Sequence, residues 1–251
     1  MTPSCSILIA NFNGHEAIEL CVESILKKTV YPDYKILVFD SSKPDSRDRA
    51  YLTSQQQQGN ITLFTSDIQM RHANAVMRLL AKCETPLACT LDSDIEVLRG
   101  EWLNILVNEL KSPNDMGVAK LKTFGAYPNS TATAPLFQPF CMLLNMENYR
   151  KIADGINWQE KAIPIEEYKG KHTYPNYQKA KIYGDVGWQL AEKIMFDNPE
   201  GFIMREMPEK YMLNYLRHYG GLSAHHANPD HPRVKNRWQL CKIRLKALRR
   251  K

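Results

Sequence analysis

The chain has 251 residues, of which 43% are hydrophobic and 24% are charged, and a soluble domain of that size needs no disulfide or metal staple to fold. No apolar stretch approaches the roughly 18 residues of a membrane span, so a transmembrane helix is excluded. The net charge of +6 belongs to the C-terminus, because residues 233–251 carry nine basic side chains and no acidic one, leaving 24 basic and 27 acidic residues elsewhere.

The N-terminus and the cysteines bear on where the protein works. Residues 1–5 carry no basic side chain ahead of the first apolar run, which therefore predicts a strand rather than a signal peptide. The six cysteines form no C-x-x-C pair and no Cys/His cluster with zinc spacing. We therefore expect reduced, mostly buried thiols in a cytoplasmic protein.

The first half of the sequence alternates strand and helix patterns. Short apolar runs predict strands over residues 6–10, 35–39, 61–65 and 87–91. Apolar residues at helical spacing predict helices over residues 16–28, 70–82 and 102–110. Strands that alternate with helices predict an α/β fold, with a mostly parallel sheet flanked by helices on both faces.

Polar side chains stand where three of these predicted strands end. Asn11 and Asn13 follow the first strand, and Asp40 follows the second. Asp92 and Asp94 follow the fourth strand. In parallel sheets, ligands bind beyond the carboxyl ends of the strands, so this coincidence is the best indicator of a site in the sequence.

The acidic pair at the end of the fourth strand has the chemistry of a metal site. Asp92-Ser93-Asp94 directly follows the apolar run LACTL. Two carboxylates one residue apart at a strand end can converge on one cation, and carboxylates suit the hard cations Mg²⁺ and Mn²⁺. The alternative is a capped helix start with a solvated pair of acids.

The second half is less regular. Apolar patterns predict strands over residues 136–144, 202–205 and 212–217, and a helix over residues 185–196. The intervening stretch from Trp158 to Tyr183 is rich in aromatic side chains. Such side chains suit stacking on sugar rings, although irregular packing explains them equally well.

Four segments carry a family resemblance. They are SILIANFN near the start, LVFDSSKPD after the second strand, RHANAVMRLLA before the fourth strand and PLACTLDSD at the acidic pair. In this order and spacing they resemble the nucleotide-binding half of the inverting glycosyltransferases of family 2, which have the GT-A fold. The resemblance implies a nucleotide-sugar-binding half (1–115), an acceptor-binding and catalytic half of the same domain (116–230) and a basic C-terminal tail (231–251).

The resemblance also implies which residues bind the nucleotide-sugar donor. The expected set is Ala10, Phe12, Asp40, Arg71, Asp92 and Ser93. Asp40 resembles the family aspartate that hydrogen-bonds the base, Phe12 stands where an aromatic ring stacks on the base, and Arg71 lies where a basic side chain approaches the diphosphate. Each also has an ordinary explanation, as a helix cap, a core residue and a solvated side chain respectively.

The segment around Asp40 departs from the family pattern. Ser41 and Ser42 occupy the places of a second acid and a glycine, and residues 73–75 lack the glycine that often follows there. These departures leave the identity of the base open.

An acid in the second half resembles the catalytic base of the family. Asp185 follows residues 182–184 at the start of the predicted helix, where the resemblance implies a general base for the acceptor hydroxyl. Aspartate is also a favoured helix N-cap, so capping is the alternative. Glu166 and Glu167 are the reserve candidates.

A histidine further on resembles the third metal ligand of the family. His218 lies in the run RHYGGLS, which resembles the family's His-x-Gly-Gly-x-Ser element. The resemblance therefore implies Asp92, Asp94 and His218 as ligands of Mn²⁺ or Mg²⁺. His225 and His226 are close competitors, and a loop with incidental histidines is the alternative.

The basic tail has the pattern of a partly amphipathic helix. Trp238, Cys241, Leu245 and Leu248 form one stripe, whereas Leu240, Ile243 and Ala247 lie off it. Such a helix suits an anionic membrane surface, which would place the protein at the inner face of a membrane, near a lipid-linked acceptor. Nucleic acid is not an expected partner, because the tail has no recognition module.

Together these features predict a metal-dependent inverting glycosyltransferase. It would move a sugar from a nucleoside-diphosphate sugar to a hydroxyl acceptor, in glycan or polysaccharide synthesis. One alternative is nucleotidyl transfer to a sugar phosphate, although residues 11–14 lack the glycine-rich basic loop that this chemistry uses. The other is a non-catalytic relative that binds a sugar or a membrane surface.

Overall fold

The computed structural model describes residues 2–122, 125–126, 132–133, 136–159, 161–164, 167, 181–184, 186–220 and 232–250. The described strands are β1 (Cys5–Asn11), β2 (Tyr34–Asp40), β3 (Thr62–Thr65), β4 (Leu87–Asp92), β5 (Ile95–Val97), β6 (Asp115–Lys122), β7 (Gly125–Ala126), β8 (Ala132–Thr133), β9 (Leu136–Asn145), β10 (Lys161–Pro164), β11 (Lys181–Gly184), β12 (Ile203–Glu206) and β13 (Leu216–His218). The described helices are α1 (Glu16–Lys28), α2 (Arg47–Gln57), α3 (His72–Lys82), α4 (Trp102–Asn108), α5 (Met146–Ile152), α6 (Trp188–Phe196), α7 (Tyr211–Asn214) and α8 (Pro232–Arg249).

Seven of the described strands form a central sheet in the order β12-β6-β9-β4-β1-β2-β3. Strands β4, β1, β2 and β3 are parallel, whereas β9 is antiparallel to both β4 and β6. The predicted α/β fold with a mostly parallel sheet is therefore confirmed. Because β9 and β12 come from the second half of the chain, the two halves share one sheet. A smaller sheet pairs β5 with β13.

Strand β1 shows why the sheet is central. All seven of its residues are buried, as expected of a parallel strand covered by helices on both faces. Successive side chains point to opposite faces. Ile7 and Ile9 pack in the same apolar layer as α1, whereas Leu8 and Ala10 pack in the layer that contains α3.

Two predicted elements differ from the structure. The helix predicted over residues 185–196 begins only at Trp188, and its N-cap is Gly187, with φ +80° and no side-chain cap hydrogen bond. The strand predicted over residues 212–217 is wrong in its first part, because Tyr211–Asn214 forms one helical turn and only the segment after it is extended. Periodicity cannot separate strand from helix in so short an apolar run.

Among the described elements that had no prediction are β5, β6 and α5. In β6, polar residues interrupt the apolar pattern. Close packing against β9 requires glycine at position 117, because a Cβ atom on Gly117 would clash with the carbonyl oxygen of Leu143. Helix α5 depends on a capping residue, Asn145, whose side chain accepts hydrogen bonds from the backbone amides of Glu147 and Asn148.

The basic tail is helical, as predicted, and its apolar stripe is buried. Trp238, Cys241, Leu245 and Leu248 pack against Ala17 and Leu20 of α1. All six cysteines of the chain are buried and unbonded, as predicted. None of the helices in the described ranges combines the length and the apolar character that crossing a membrane requires.

Candidate active site

A cavity of about 370 Å³ lies at the carboxyl ends of β1 and β4. It is within the size range of small-molecule sites. Its lining residues are Ala10, Asn11, Phe12, Gly14, Ala17, Ser41, Gln69, Met70, Arg71, His72, Ala75, Asp92, Ser93 and Asp94. The structure therefore brings together five of the six predicted donor-binding residues, all except Asp40.

Three side chains beside the cavity form a candidate metal site. One ligand atom each from Asp92, Asp94 and His218 lies within 4.8 Å of the other two. The Nε2 atom of His218 is 3.1 Å from Oδ1 of Asp94 and 3.4 Å from Oδ2 of Asp92. Two carboxylate oxygens and an imidazole nitrogen suit Mn²⁺, and suit Mg²⁺ less well because of the nitrogen. The residues thus fit a divalent cation.

The pairing of β5 with β13 places His218 beside the acidic pair. In this antiparallel pair His218 lies opposite Ile95, the residue that follows Asp94. The backbone amide of Tyr219 donates a hydrogen bond to the carbonyl oxygen of Asp94 at 3.0 Å. On its other side, the imidazole stacks on the ring of Phe140, with 5.0 Å between the ring centroids.

The acidic and basic groups of this cluster shift the pKa values of one another before any cation binds. Burial would raise the pKa of Asp92, but the hydrogen bond to His218 and the charges of His72 and His218 lower it. Burial would lower the pKa of His218, but hydrogen bonds to Asp92 and Asp94 raise it to about 10. His218 is therefore protonated at neutral pH when no cation is present, and a cation must displace that proton.

His72 is a second basic neighbour of the acidic pair, and sequence reasoning missed it. Its Nε2 atom lies 3.5 Å from Oδ1 of Asp92, and its side chain lines the cavity next to Arg71. The available signal was its position, because Arg71 and His72 together begin α3. Two adjacent basic side chains at a helix N-terminus favour the binding of an anionic group.

Asp40 is held in a buried network rather than on the cavity surface. Its carboxylate accepts hydrogen bonds from Ser42 Oγ at 2.6 Å and Asn11 Nδ2 at 2.9 Å. It also accepts one from Arg49 Nε at 2.7 Å, and the residue is fully buried. Ser41 lines the cavity next to it. The contact between Asp40 and a nucleotide base stays a prediction, and it would need this network to open.

Several predicted residues lie outside the described part of the chain, namely Asp185, Glu166, His225 and His226. Of the aromatic stretch predicted to bind sugar, Trp158 is fully buried and donates its indole N–H to the hydroxyl of Tyr149 at 3.2 Å. Trp158 is therefore a core residue and offers no exposed stacking face. The structure does not describe the side chains of the other residues in this prediction, namely Tyr168, His172, Tyr174, Tyr177 and Tyr183.

Comparisons with known proteins agree with the fold. Residues 6–164, more than half of the chain, match the family model described as glycosyl transferase family 2. Among solved structures, the mannosyltransferase PcManGT from Pyrobaculum calidifontis, in complex with GDP-Man and Mn²⁺, is similar with a TM-score of 0.50 and 15% identity. The similarity covers 74% of this chain and 55% of that one.

Two other solved structures are similar at a lower score. GalNAc-T7 with UDP, GalNAc and Mn²⁺ has a TM-score of 0.49 and 13% identity, over 73% of this chain and 42% of that one. TarS of S. aureus has a TM-score of 0.44 and 13% identity, over 73% of this chain and 36% of that one. The chain thus spans about half or less of the length of these proteins. None of the curated proteins matches it in sequence.

Proposed function

Because this chain belongs to glycosyl transferase family 2, we propose that it transfers a sugar from a nucleoside-diphosphate sugar to an acceptor hydroxyl with the help of a divalent cation. One observation carries the proposal: Asp92, Asp94 and His218 converge beside a cavity at the carboxyl ends of the parallel strands. Residues 1–115 would bind the donor, and residues 116–230 would bind the acceptor. The proposed setting is glycan or polysaccharide synthesis.

The cavity offers each part of the donor a chemically suitable partner. Phe12 presents an aromatic ring on which a base can stack, Arg71 presents a guanidinium to a diphosphate, and the imidazole of His72 lies next to it. Asp92, Asp94 and His218 would hold Mn²⁺ or Mg²⁺. When bound, such a cation supplies Lewis-acid stabilisation of the negative charge that develops on the departing nucleoside diphosphate.

The transfer step would be a direct displacement with inversion. The acceptor oxygen attacks the anomeric carbon, the bond from that carbon to the diphosphate oxygen breaks, and the nucleoside diphosphate leaves with the electron pair. The acceptor proton goes to a carboxylate on the acceptor side, which the family resemblance assigns to Asp185. In the sequence this residue directly follows β11.

Nucleotide-dependent stabilisation is the experiment that tests the proposal. We expect one nucleoside diphosphate, at about 100 times its Kd and with Mn²⁺, to raise the melting temperature by roughly 5–10 °C. The rise should disappear when EDTA replaces Mn²⁺, because the site would hold the diphosphate through the cation and loses affinity for it without one.

Two controls separate the alternatives. A nucleotidyltransferase would respond to a nucleoside triphosphate together with a sugar 1-phosphate, and a non-catalytic relative would turn over no sugar nucleotide under any condition. A thermal shift of equal size in EDTA would contradict the metal-dependent site, and turnover of a sugar nucleotide would separate the enzyme from a binding module.

The surface of helix α8 suits a peripheral contact with an anionic membrane, although fewer of its basic side chains are available for that contact than the sequence indicates. Lys242, Arg244 and Arg249 form ion pairs with acidic residues of the body. The outward face instead presents Leu240 and Ile243, which are 42% and 62% exposed. The exposed Lys246 lies on the same helix, and the exposed Arg250 directly follows its last residue. Apolar side chains next to cations suit the interface of an anionic bilayer.

Vesicle binding tests this contact. The double variant Leu240→Ser/Ile243→Ser should lose about tenfold in affinity for phosphatidylglycerol vesicles, because it loses the apolar part of the contact. Ile203→Ser, at an exposed isoleucine of β12, is the matched control and should bind as the wild type does. Co-sedimentation measures both. Equal binding to phosphatidylcholine vesicles, or no loss in the double variant, would contradict a contact of this kind.

A further inference from the structure

Helix α8 contacts the segment that carries His218 through a buried carboxylate. Glu96 lies on β5, two residues after Asp94, and is 1% exposed. Arg244 of α8 donates to both of its oxygens, with distances of 2.6 to 3.2 Å. The hydroxyl of Tyr219 donates to the same carboxylate at 2.9 Å. One buried group therefore connects α8, β5 and the residue that follows His218.

Two further contacts from α8 reach the same segment. The ring of Tyr219 is buried in a cluster with Trp238 and Cys241 of α8. The guanidinium of Arg237 donates to the carbonyl oxygen of Gly220 at 2.7 Å. We call these α8 residues, Arg237, Trp238, Cys241 and Arg244, the α8 clasp.

The β5–β13 sheet needs such support. Each strand has only three residues, and within the described residues the sheet contains no third strand. Isolated two-stranded pairings are marginal in water, since they bury little apolar surface. The position of His218 relative to Asp92 and Asp94 depends on this pairing. Contacts from outside the sheet must therefore stabilise the geometry of the three ligands.

We propose that the α8 clasp positions His218 for metal binding, so that the C-terminal helix sets the affinity of the site for its cation. This rests on the function proposed above. Arg244 and Tyr219 are positioning residues, because they act on the ligand through Glu96 and the backbone of β13. Mutation of residues that orient a metal ligand without touching the metal commonly lowers metal affinity by about 10- to 100-fold.

The test compares two arginines of α8 that pair with acids in similar ways. Arg244→Met removes the contact with Glu96, whereas Arg249→Met removes ion pairs with Glu19 and Glu23 of α1. Arg244→Met is expected to fold, because Lys28 and Arg217 remain 3.7 Å from Glu96 and continue to balance its charge.

Titration of Mn²⁺ alone into the full chain, with free Mn²⁺ followed by electron paramagnetic resonance, is the main measurement. We expect the Kd of Arg244→Met to rise about tenfold and that of Arg249→Met to stay within twofold of the wild type. Wild-type affinity in Arg244→Met, or equal losses in both variants, would overturn the clasp while leaving the metal site intact. No binding by the wild type would overturn both.

Hydrogen exchange provides a readout that involves no metal. The amide of Tyr219 donates to the carbonyl oxygen of Asp94, so its exchange reports on the register beside His218. In Arg244→Met, peptides that contain this amide should exchange about tenfold faster, while the same peptides of Arg249→Met should match the wild type. Unchanged protection in Arg244→Met would show that the segment is held without α8.

Discussion

Replacing Asp94 by Asn is expected to lower sugar transfer about a thousandfold and to remove the Mn²⁺-dependent thermal shift. Asn retains the shape of the side chain but loses the charge that a hard cation requires. A thousandfold corresponds to about 4 kcal/mol, in line with the several kcal/mol that a bound cation supplies to a departing anion. The carboxylate of Asp94 lies 3.1 Å from His218, so the substitution also removes one of the two acids around the imidazole.

The measurement is steady-state kinetics against Mn²⁺ concentration, together with the Mn²⁺ titration and the melting temperature of each variant. Glu147→Gln, on the exposed surface of α5, loses the same charge at a site remote from the cavity and serves as the control. If Asp94→Asn kept both its turnover and its affinity for Mn²⁺, this acid would not be a ligand, and the proposed metal site would have to be abandoned.

Replacing Asp185 by Asn is expected to lower kcat by about 10² to 10⁴ while leaving Mn²⁺ affinity and the KM for the donor close to those of the wild type. General-base catalysis contributes on this scale, and an amide cannot accept the acceptor proton at neutral pH. Asp185 is not among the residues proposed to hold the cation or the donor, which is why the donor parameters should not move.

Kinetics with varied donor and varied acceptor separate these parameters, and nuclear magnetic resonance of the product gives the anomeric configuration. Glu200→Gln is the control, since Glu200 is an exposed acid in the same half of the chain and belongs to no proposed site. If kcat fell in Glu166→Gln and stayed at the wild-type value in Asp185→Asn, the catalytic base would be Glu166 instead. Retention of configuration would overturn the direct displacement itself.

Local patterns predicted the sheet and most of its helices. Residues 7–10 are all apolar, as expected of a strand buried on both faces, and α1 begins and ends where its spacing predicts. The acidic pair after LACTL was predicted to lie at the sheet edge, and Asp92 and Asp94 line the cavity there. These features depend on neighbours within a few residues along the chain, which is why a single sequence contains them.

The partner of each charged side chain could not be predicted in the same way. Asp40 forms an ion pair with Arg49, a residue of the following helix. Nothing in the pattern of the intervening loop indicates that this arginine contacts the end of the preceding strand. Helix α8 has a charge pattern typical of a membrane-surface helix, yet three of its basic residues pair with acids of the protein itself. Pairing of this kind depends on which surfaces the fold brings together.

By itself, the sequence determined the alternation of strands and helices, the acids at the strand ends and the family to which the chain is similar. The resemblance implied that His218 joins Asp92 and Asp94, but only the tertiary structure showed that His72 lies beside them and that α8 contacts Glu96. Tyr219 and Glu96 are 123 positions apart, and Arg244 and Glu96 are 148 positions apart. Hydrophobic periodicity acts over a few residues, whereas contacts between such distant positions follow from the packing of the whole chain.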